Sequence, residues 1–183
     1  MGSEIATTQL SYRWILWYHD PEDKDYSISS YVKICDINTP QQFWTVIDSI
    51  PKEAWECGMF FFMKQGYPPI WEAQENKRGG SWSKKISREV VHETFVHLMV
   101  NCISNEILVE RSETLVGVTV SHKGPDSIVR VWNSTTEVSK RAYLKKNIPH
   151  FQITDDVSYT DNADRDTSNN NSYRSNNSRR GRK

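Results

Sequence analysis

Cysteine is scarce. The chain has 183 residues and only 3 of them are Cys, at 35, 57 and 102, with no CxxC spacing. That excludes a disulfide framework and a cysteine-based zinc site, and it fits a reducing compartment. No apolar run approaches the roughly 20 residues that span a bilayer, and the N-terminus carries no apolar leader, so neither a membrane nor secretion is expected. Excess charge is also missing: Lys plus Arg is 23 and Asp plus Glu is 23. This excludes a binder that relies on bulk phosphate neutralisation, but not one that grips a single nucleotide. G-x-S-x-G, P-loop and H-E-x-x-H motifs are absent. Glu72 and Glu75 are only a pair, with no evident third metal ligand. The sequence therefore predicts no enzyme, no cofactor and no metal. Met1-Gly2 opens like a myristoylation site, but Ala6 stands where Ser or Thr is needed. Asn133-Ser134-Thr135 matches a glycosylation sequon that is expected to be unused without a leader.

What the chain has is aromatic rings: 7 Trp, 8 Tyr and 6 Phe. Mean hydropathy is low, at -0.69, which suggests that part of the chain does not fold. The length suits one domain with a modest appendage. We expect a flexible N-terminus over 1–10, a folded domain over 11–160 and a disordered polar tail over 161–183. The tail is rich in Asn, Ser, Asp and Arg, and little in it offsets the entropy of ordering.

Tyr12 to Tyr18 reads as a strand, with Trp14, Leu16 and Tyr18 on one face and Ile15 and Trp17 on the other. Tyr31 to Asp36 is a second strand. Thr39-Pro40-Gln41-Gln42 starts a helix: Thr39 caps, Pro40 takes the first position and Gln42 completes a capping box. Phe43, Ile47 and Ile50 follow at helical spacing, and Pro51 ends the segment. Cys57 to Met63 and Trp82 to Ile86 are strands, and Ser87 caps a helix with Val91, Phe95, Leu98 and Cys102 on one stripe. Thr114 to Val120 and Ile128 to Trp132 form a hairpin, Glu137 to Lys146 a third helix, and Phe151 to Tyr159 a short edge strand. The fold class is α+β: an antiparallel sheet with helices on one face.

The segments Arg13-Trp14-Ile15-Leu16-Trp17-Tyr18, Thr39-Pro40-Gln41-Gln42-Phe43-Trp44, Ile70-Trp71-Glu72, Asn76-Lys77-Arg78-Gly79-Gly80-Ser81-Trp82 and Val131-Trp132 occur in that order. Over residues 10 to about 160 they resemble the cap-binding translation initiation factor 4E family. The resemblance implies a curved antiparallel sheet backed by three helices on its convex face, with the 7-methylguanosine cap of mRNA held on the concave side. It implies stacking by Trp71 and Tyr26, a base-edge contact by Glu72, a contact with the methyl group by Trp132 and a phosphate contact by Lys123. It also implies a cytoplasmic protein that recruits capped mRNA to the initiation machinery. A scaffold or inhibitor protein presenting a YxxxxLΦ helix would dock through Pro40, Trp44 and Val96.

The residue chemistry supports a base site independently. Base recognition needs flat rings, a methylated cationic guanine adds a cation–π attraction, and its two edge donors suit one carboxylate. The chain also departs from the family. Ser81 and Ser121 stand where the family carries cations, with His122, Lys77 and Arg78 the nearby substitutes. Thr8-Gln9-Leu10 replaces His-Pro-Leu, and Phe95-Val96-His97 replaces Trp-Leu-Glu. These departures motivate an alternative: a cap-weak interaction scaffold or translational repressor of the same fold. A single-stranded RNA binder with an aromatic groove is a further rival. The bland reading assigns Trp14, Trp17, Phe43, Phe60, Phe61, Phe62 and Trp82 to the core. It also makes Glu72 and Lys123 solvated loop residues and leaves Trp132 open between core and site.

Overall fold

Alternation along the first strand sets the two faces of the sheet. In the computed structural model, which describes residues 8–165 apart from the side chain of Lys123, β1 spans Trp14–His19. Trp14 and Leu16 are fully buried, whereas Ile15 and Trp17 point the other way and are half-buried. The same period runs through β3 (Met59–Lys64): Phe60 and Phe62 join the main core, and Phe61 and Met63 join a second cluster on the opposite face. Trp14 stacks on Phe62 with centroids 4.8 Å apart and planes within 8°. Burying a ring of this size contributes about 1.5–3 kcal/mol.

The remaining strands are β2 (Val32–Ile37), β4 (Gly80–Ser87), β5 (Leu115–Lys123), β6 (Asp126–Asn133) and β7 (Ser158–Asp161). Every pairing is antiparallel, and the order across the sheet is β2-β1-β3-β5-β6-β4-β7. Helices α1 (Pro40–Ser49), α2 (Lys52–Cys57) and α3 (Val91–Ile103) place Phe43, Ile47, Trp55, Phe95 and Leu98 in the main core. They contribute nothing to the second cluster, so all three cover the same face.

Local sequence explains most of these boundaries. Thr39 Oγ1 accepts from the Gln42 amide at 3.1 Å, while Gln42 Oε1 reaches back to the Asn38 amide at 2.8 Å. This is a capping box displaced by one residue. Gly79 and Gly80 are dictated by close approach. A Cβ on Gly79 would lie 1.9 Å from the Asn133 carbonyl oxygen, and one on Gly80 would lie 2.4 Å from that of Thr160. The backbone enters β4 between its two neighbours only because neither residue has a side chain.

Three expectations need correction. Residues 137–146 are not a helix: they run as an irregular segment with a 3-10 turn over Arg141–Tyr143. The buried residues there are Val138 and Leu144, which is not helical spacing. The backbone instead pairs sideways, with Lys145 N donating to Ile107 O at 2.8 Å and Val109 N to Tyr143 O at 2.9 Å. Helix α2 was not foreseen. Pro51, read as a stop, also begins the next helix, and the single buried Trp55 anchors six residues that show no periodicity. A final helical turn over 162–165 follows β7, so among the described residues the helices number four rather than three, besides short 3-10 turns.

The sequon is structural. Asn133 is 1% exposed, accepts from Gly80 N and Tyr159 Oη, and donates to the carbonyls of Thr135 and Val138. At the N-terminal end, Leu10 N donates to Asn38 O at 2.8 Å. At the other end, Asn162 is buried and donates to Asn76 O at 2.9 Å. Packing therefore continues past position 160 to Arg165. Residues 1–7 and 166–183, most of the two terminal segments predicted from sequence, lie outside the described residues.

Candidate nucleotide cleft

The face opposite α1, α2 and α3 is where the second cluster sits. Phe61, Met63, Val116 and Trp132 form it, and half-buried Trp17, Tyr31, Tyr67 and Trp71 pack against it. Beside it opens a cleft of about 450 Å³. Tyr26, Trp71, Glu72 and Trp132, which come from three distant stretches of chain, all line this cleft. Lys123 ends β5, but its side chain lies outside the described residues. Trp132 is 3% exposed, and its Nε1 donates to Thr119 Oγ1 at 3.2 Å. It is thus both core and lining, the position that sequence reasoning left open.

The loop bearing Trp71 is held by one side chain. Asn76 is 1% exposed, and its Nδ2 donates to Pro68 O at 2.8 Å and to Ile70 O at 2.7 Å. The Asn76 carbonyl is held in turn by Asn162 and by the Gly79 amide. An extended proline-rich stretch cannot satisfy its own carbonyls, so this amide replaces the missing secondary structure. Asn76→Ala leaves two carbonyls unpaired. At about 1–3 kcal/mol for each unsatisfied group, the expected loss of stability is about 2–6 kcal/mol, measured by urea unfolding. A loss below about 0.5 kcal/mol would mean that the loop stands without this staple.

Tyr26 lies in the loop after β1 and lines the same cleft. It is 47% exposed and stacks on His19, with centroids 4.7 Å apart and planes within 7°. His19 backs one face of the ring. His19 Nε2 bonds Asp25 O at 2.8 Å. The Asp25 carboxylate accepts from the Ser27 amide and hydroxyl, which holds its pKa below the usual carboxylate value. His19 also leans on Tyr31 at 4.6 Å, and Tyr31 meets Phe61 edge-on at 5.1 Å. A chain of four rings therefore carries Tyr26 from the second cluster out to the rim.

Among the lining residues that the sequence did not single out are Lys24, Tyr31, Arg130 and Arg165. Burial, followed by the nearby Glu72 carboxylate, pushes the Tyr31 pKa up. Arg130 Nη1 donates to Ser121 Oγ at 2.9 Å, and Arg165 Nη2 donates to Ser81 Oγ at 2.9 Å. Burial, then the charge of Arg165, lowers the Arg130 pKa to about 10. Arg165 is lowered by burial, partly offset by Glu72. Arg130 was legible, since it precedes Trp132 by two in an alternating strand and so shares its face. Arg165 had no local signal. Of the substitutes named from sequence, His122 lines the cleft; Lys77 and Arg78 are exposed outside it.

On the helix-covered side, Trp44 of α1 is 49% exposed and meets buried Phe43 edge-on at 5.0 Å. Pro40 lies one turn earlier on the same helix, and Val96 is half-buried on α3. The cleft can chemically accept a planar, electron-poor base against its rings, hydrogen-bond donors at its carboxylate and an anion at its guanidiniums.

The sequence pattern of the family described as Eukaryotic initiation factor 4E matches residues 9–177. The chain is 28% identical over 139 residues to the mouse eukaryotic translation initiation factor 4E type 1B, covering 70% of this chain and 54% of that one. It is 26% identical over 145 residues to Caenorhabditis elegans initiation factor 4E-4, covering 75% and 66%. The chain thus spans between half and two-thirds of these relatives' length. Among solved structures, C. elegans eIF4E-3 in complex with the 4E-binding protein Mextli and a cap analog superposes with a TM-score of 0.64 at 19% identity, covering 72% of this chain and 76% of that one. Ascaris suum eIF4E-3 in complex with the m7G cap gives 0.64 at 18% identity, covering 73% and 77%. These two likenesses establish the fold.

Proposed function

Because the chain belongs to the eukaryotic initiation factor 4E family, whose members are non-catalytic cap-binding adaptors, we propose that it binds the 7-methylguanosine 5′ cap of mRNA in this cleft and delivers it to the initiation machinery. The observation that carries the reading is the convergence of Tyr26, Trp71, Glu72 and Trp132 on one cavity. The methylated base enters between the Trp71 and Tyr26 rings, where stacking contributes about 1–3 kcal/mol. Its positive charge adds about 0.5–2 kcal/mol over the ring faces. The Glu72 carboxylate accepts from N1–H and N2–H₂ in a bidentate, charge-assisted pair. Trp132 packs on the methyl group, and Lys123 reaches the phosphates. The sheet face bearing the cleft is the concave side, and the helices back the convex one.

Delivery is through the helix side. Exposed Trp44, with Pro40 and Val96, takes a helical YxxxxLΦ segment of a scaffold or inhibitor protein, and an exposed Trp is a natural anchor for such a contact. The related complex with Mextli supports this reading. The setting is cytoplasmic, in line with translation. A cap-weak scaffold or repressor is the second reading. Ser81 and Ser121 favour it, because both are neutral where the family has cations. Retention on a cap resin at physiological salt, set beside capture by a YxxxxLΦ peptide, separates the two.

The direct test is tryptophan fluorescence. Titration with 7-methyl-GTP is expected to quench emission, with GTP at least about tenfold weaker because it lacks the cationic ring. Equal quenching by both nucleotides would remove the cap reading.

A further inference from the structure

We propose that Arg130 and Arg165, each oriented by a serine hydroxyl, form the seat for the 5′ phosphate chain of the nucleotide bound in the cleft. The proposal rests on the cap reading above and goes beyond it by assigning phosphate recognition to residues outside the matched motifs.

The chain departs from the family pattern at Ser81 and Ser121. Ser81 and Ser121 are too short and uncharged to hold phosphate themselves. Each hydroxyl instead accepts a 2.9 Å hydrogen bond from an arginine delivered by a neighbouring element. Arg130 comes from β6, whose Ile128 faces Ser121 across the hairpin. Arg165 comes from the turn after β7, whose Thr160 faces Ser81. At both places the cation has moved to an adjacent strand or turn, and the serine remains as its support.

The environment points to an anion. Both guanidiniums line the same cleft and are partly withdrawn from water. Each lacks a carboxylate within ion-pair distance among the described residues, and the partners they have are hydroxyls. Holding two like charges together in a partly dry site is unfavourable unless a third group neutralises them. The depressed pKa of Arg130, caused by burial and then by Arg165, is the signature of that tension. Arg130 still carries its charge at neutral pH. A guanidinium has five donors in a planar fork, so one bond to a serine leaves the rest for phosphate oxygens. Among the described residues the one carboxylate lining the cleft is Glu72, which the cap reading assigns to the base edge. One cavity thus holds both a negative group for base donors and positive groups for the attached phosphates.

A binding ladder tests this: 7-methylguanosine and its mono-, di- and triphosphates, measured by fluorescence against wild type, Arg130→Met, Arg165→Met and the double variant. Wild type is expected to gain affinity with added phosphate. Each Met variant should lose about tenfold in 7-methyl-GTP affinity, and the pair about a hundredfold, since a hydrogen bond to a charged group is worth that much. Affinity for the nucleoside should stay within about twofold in all four proteins, because rings and Glu72 alone hold it. Arg130→Lys, which keeps the charge and loses the fork, should retain part of the phosphate gain. Melting temperatures near the wild-type value in the Met variants would show that the loss is not unfolding. An uncapped oligonucleotide should fail to compete, which assigns the seat to the cap's own phosphates rather than to RNA backbone.

If the nucleoside binds but the Met variants keep the full phosphate gain, this proposal is overturned and the cap reading stands. The same holds if nucleoside affinity falls as far as triphosphate affinity, or if the uncapped strand displaces 7-methyl-GTP. If neither the nucleoside nor 7-methyl-GTP binds wild type, both readings fall together.

Discussion

Replacing Trp71 with alanine is expected to weaken 7-methyl-GTP binding by roughly a hundredfold, the sum of a lost stacking face and a lost cation–π attraction. The ring is suited to this because it is neither fully core nor free. It packs against the Phe61–Trp132 cluster along one side and lines the cleft with the rest. Stability should fall only modestly, since Trp71 is half-buried and its loop is held by Asn76 rather than by the ring. Trp71→Phe should recover part of the affinity, because a smaller π face remains. A Trp71→Ala protein that binds within about threefold of wild type would place the base elsewhere.

Glu72→Gln is expected to cost almost as much, for a different reason. The carboxylate can accept two hydrogen bonds from the base edge, whereas the amide offers one acceptor and one donor that faces a donor. Losing one charge-assisted bond and creating that clash predicts a drop of roughly 30- to 100-fold. The loss should be selective. A 7-methylated inosine nucleotide lacks the N2 amino group, so wild type should prefer the guanine form and the variant should lose much of that preference.

Glu72→Gln also has a signature in the free protein. The Glu72 carboxylate helps raise the Tyr31 pKa, after burial, so removing its charge should bring that pKa down. Tyr31 is raised when folded, so its contribution to stability is present at neutral pH and is lost only as pH rises above the ordinary tyrosine value of about 10 and through the folded value. Alkaline ultraviolet titration of the two proteins reads the difference. An unchanged tyrosine titration would mean that the Glu72 charge does not reach Tyr31.

The sheet was largely legible because its strands carry strong two-residue alternation: Trp14 and Leu16 against Ile15 and Trp17, or Val129 and Val131 against Arg130. The capped start at Thr39 was legible because its signal is local. What sequence could not give depended on distant partners. Residues 137–146 contain good helix formers, but Asn133 and the irregular segment 107–109 claim their backbone groups instead. Helix α2 is too short to show a period, and one buried Trp55 decides it. In the cleft, Trp71 and Glu72 were readable as neighbours in a motif bracketed by prolines and glycines. Tyr31 and Arg165 were not, because only the fold brings them beside Glu72. Arg165 also follows residues whose composition predicts disorder, yet buried Asn162 ties that turn to Asn76 and so to the Trp71 loop.

The most direct test of the account is a crystal structure of the protein with 7-methyl-GTP bound. The account predicts the methylated base between Tyr26 and Trp71, its N1 and N2 within hydrogen-bond distance of Glu72 and its phosphates against Arg130 and Arg165. A nucleotide bound outside this cleft, or one whose base leaves Trp71 and Glu72 untouched, would contradict it.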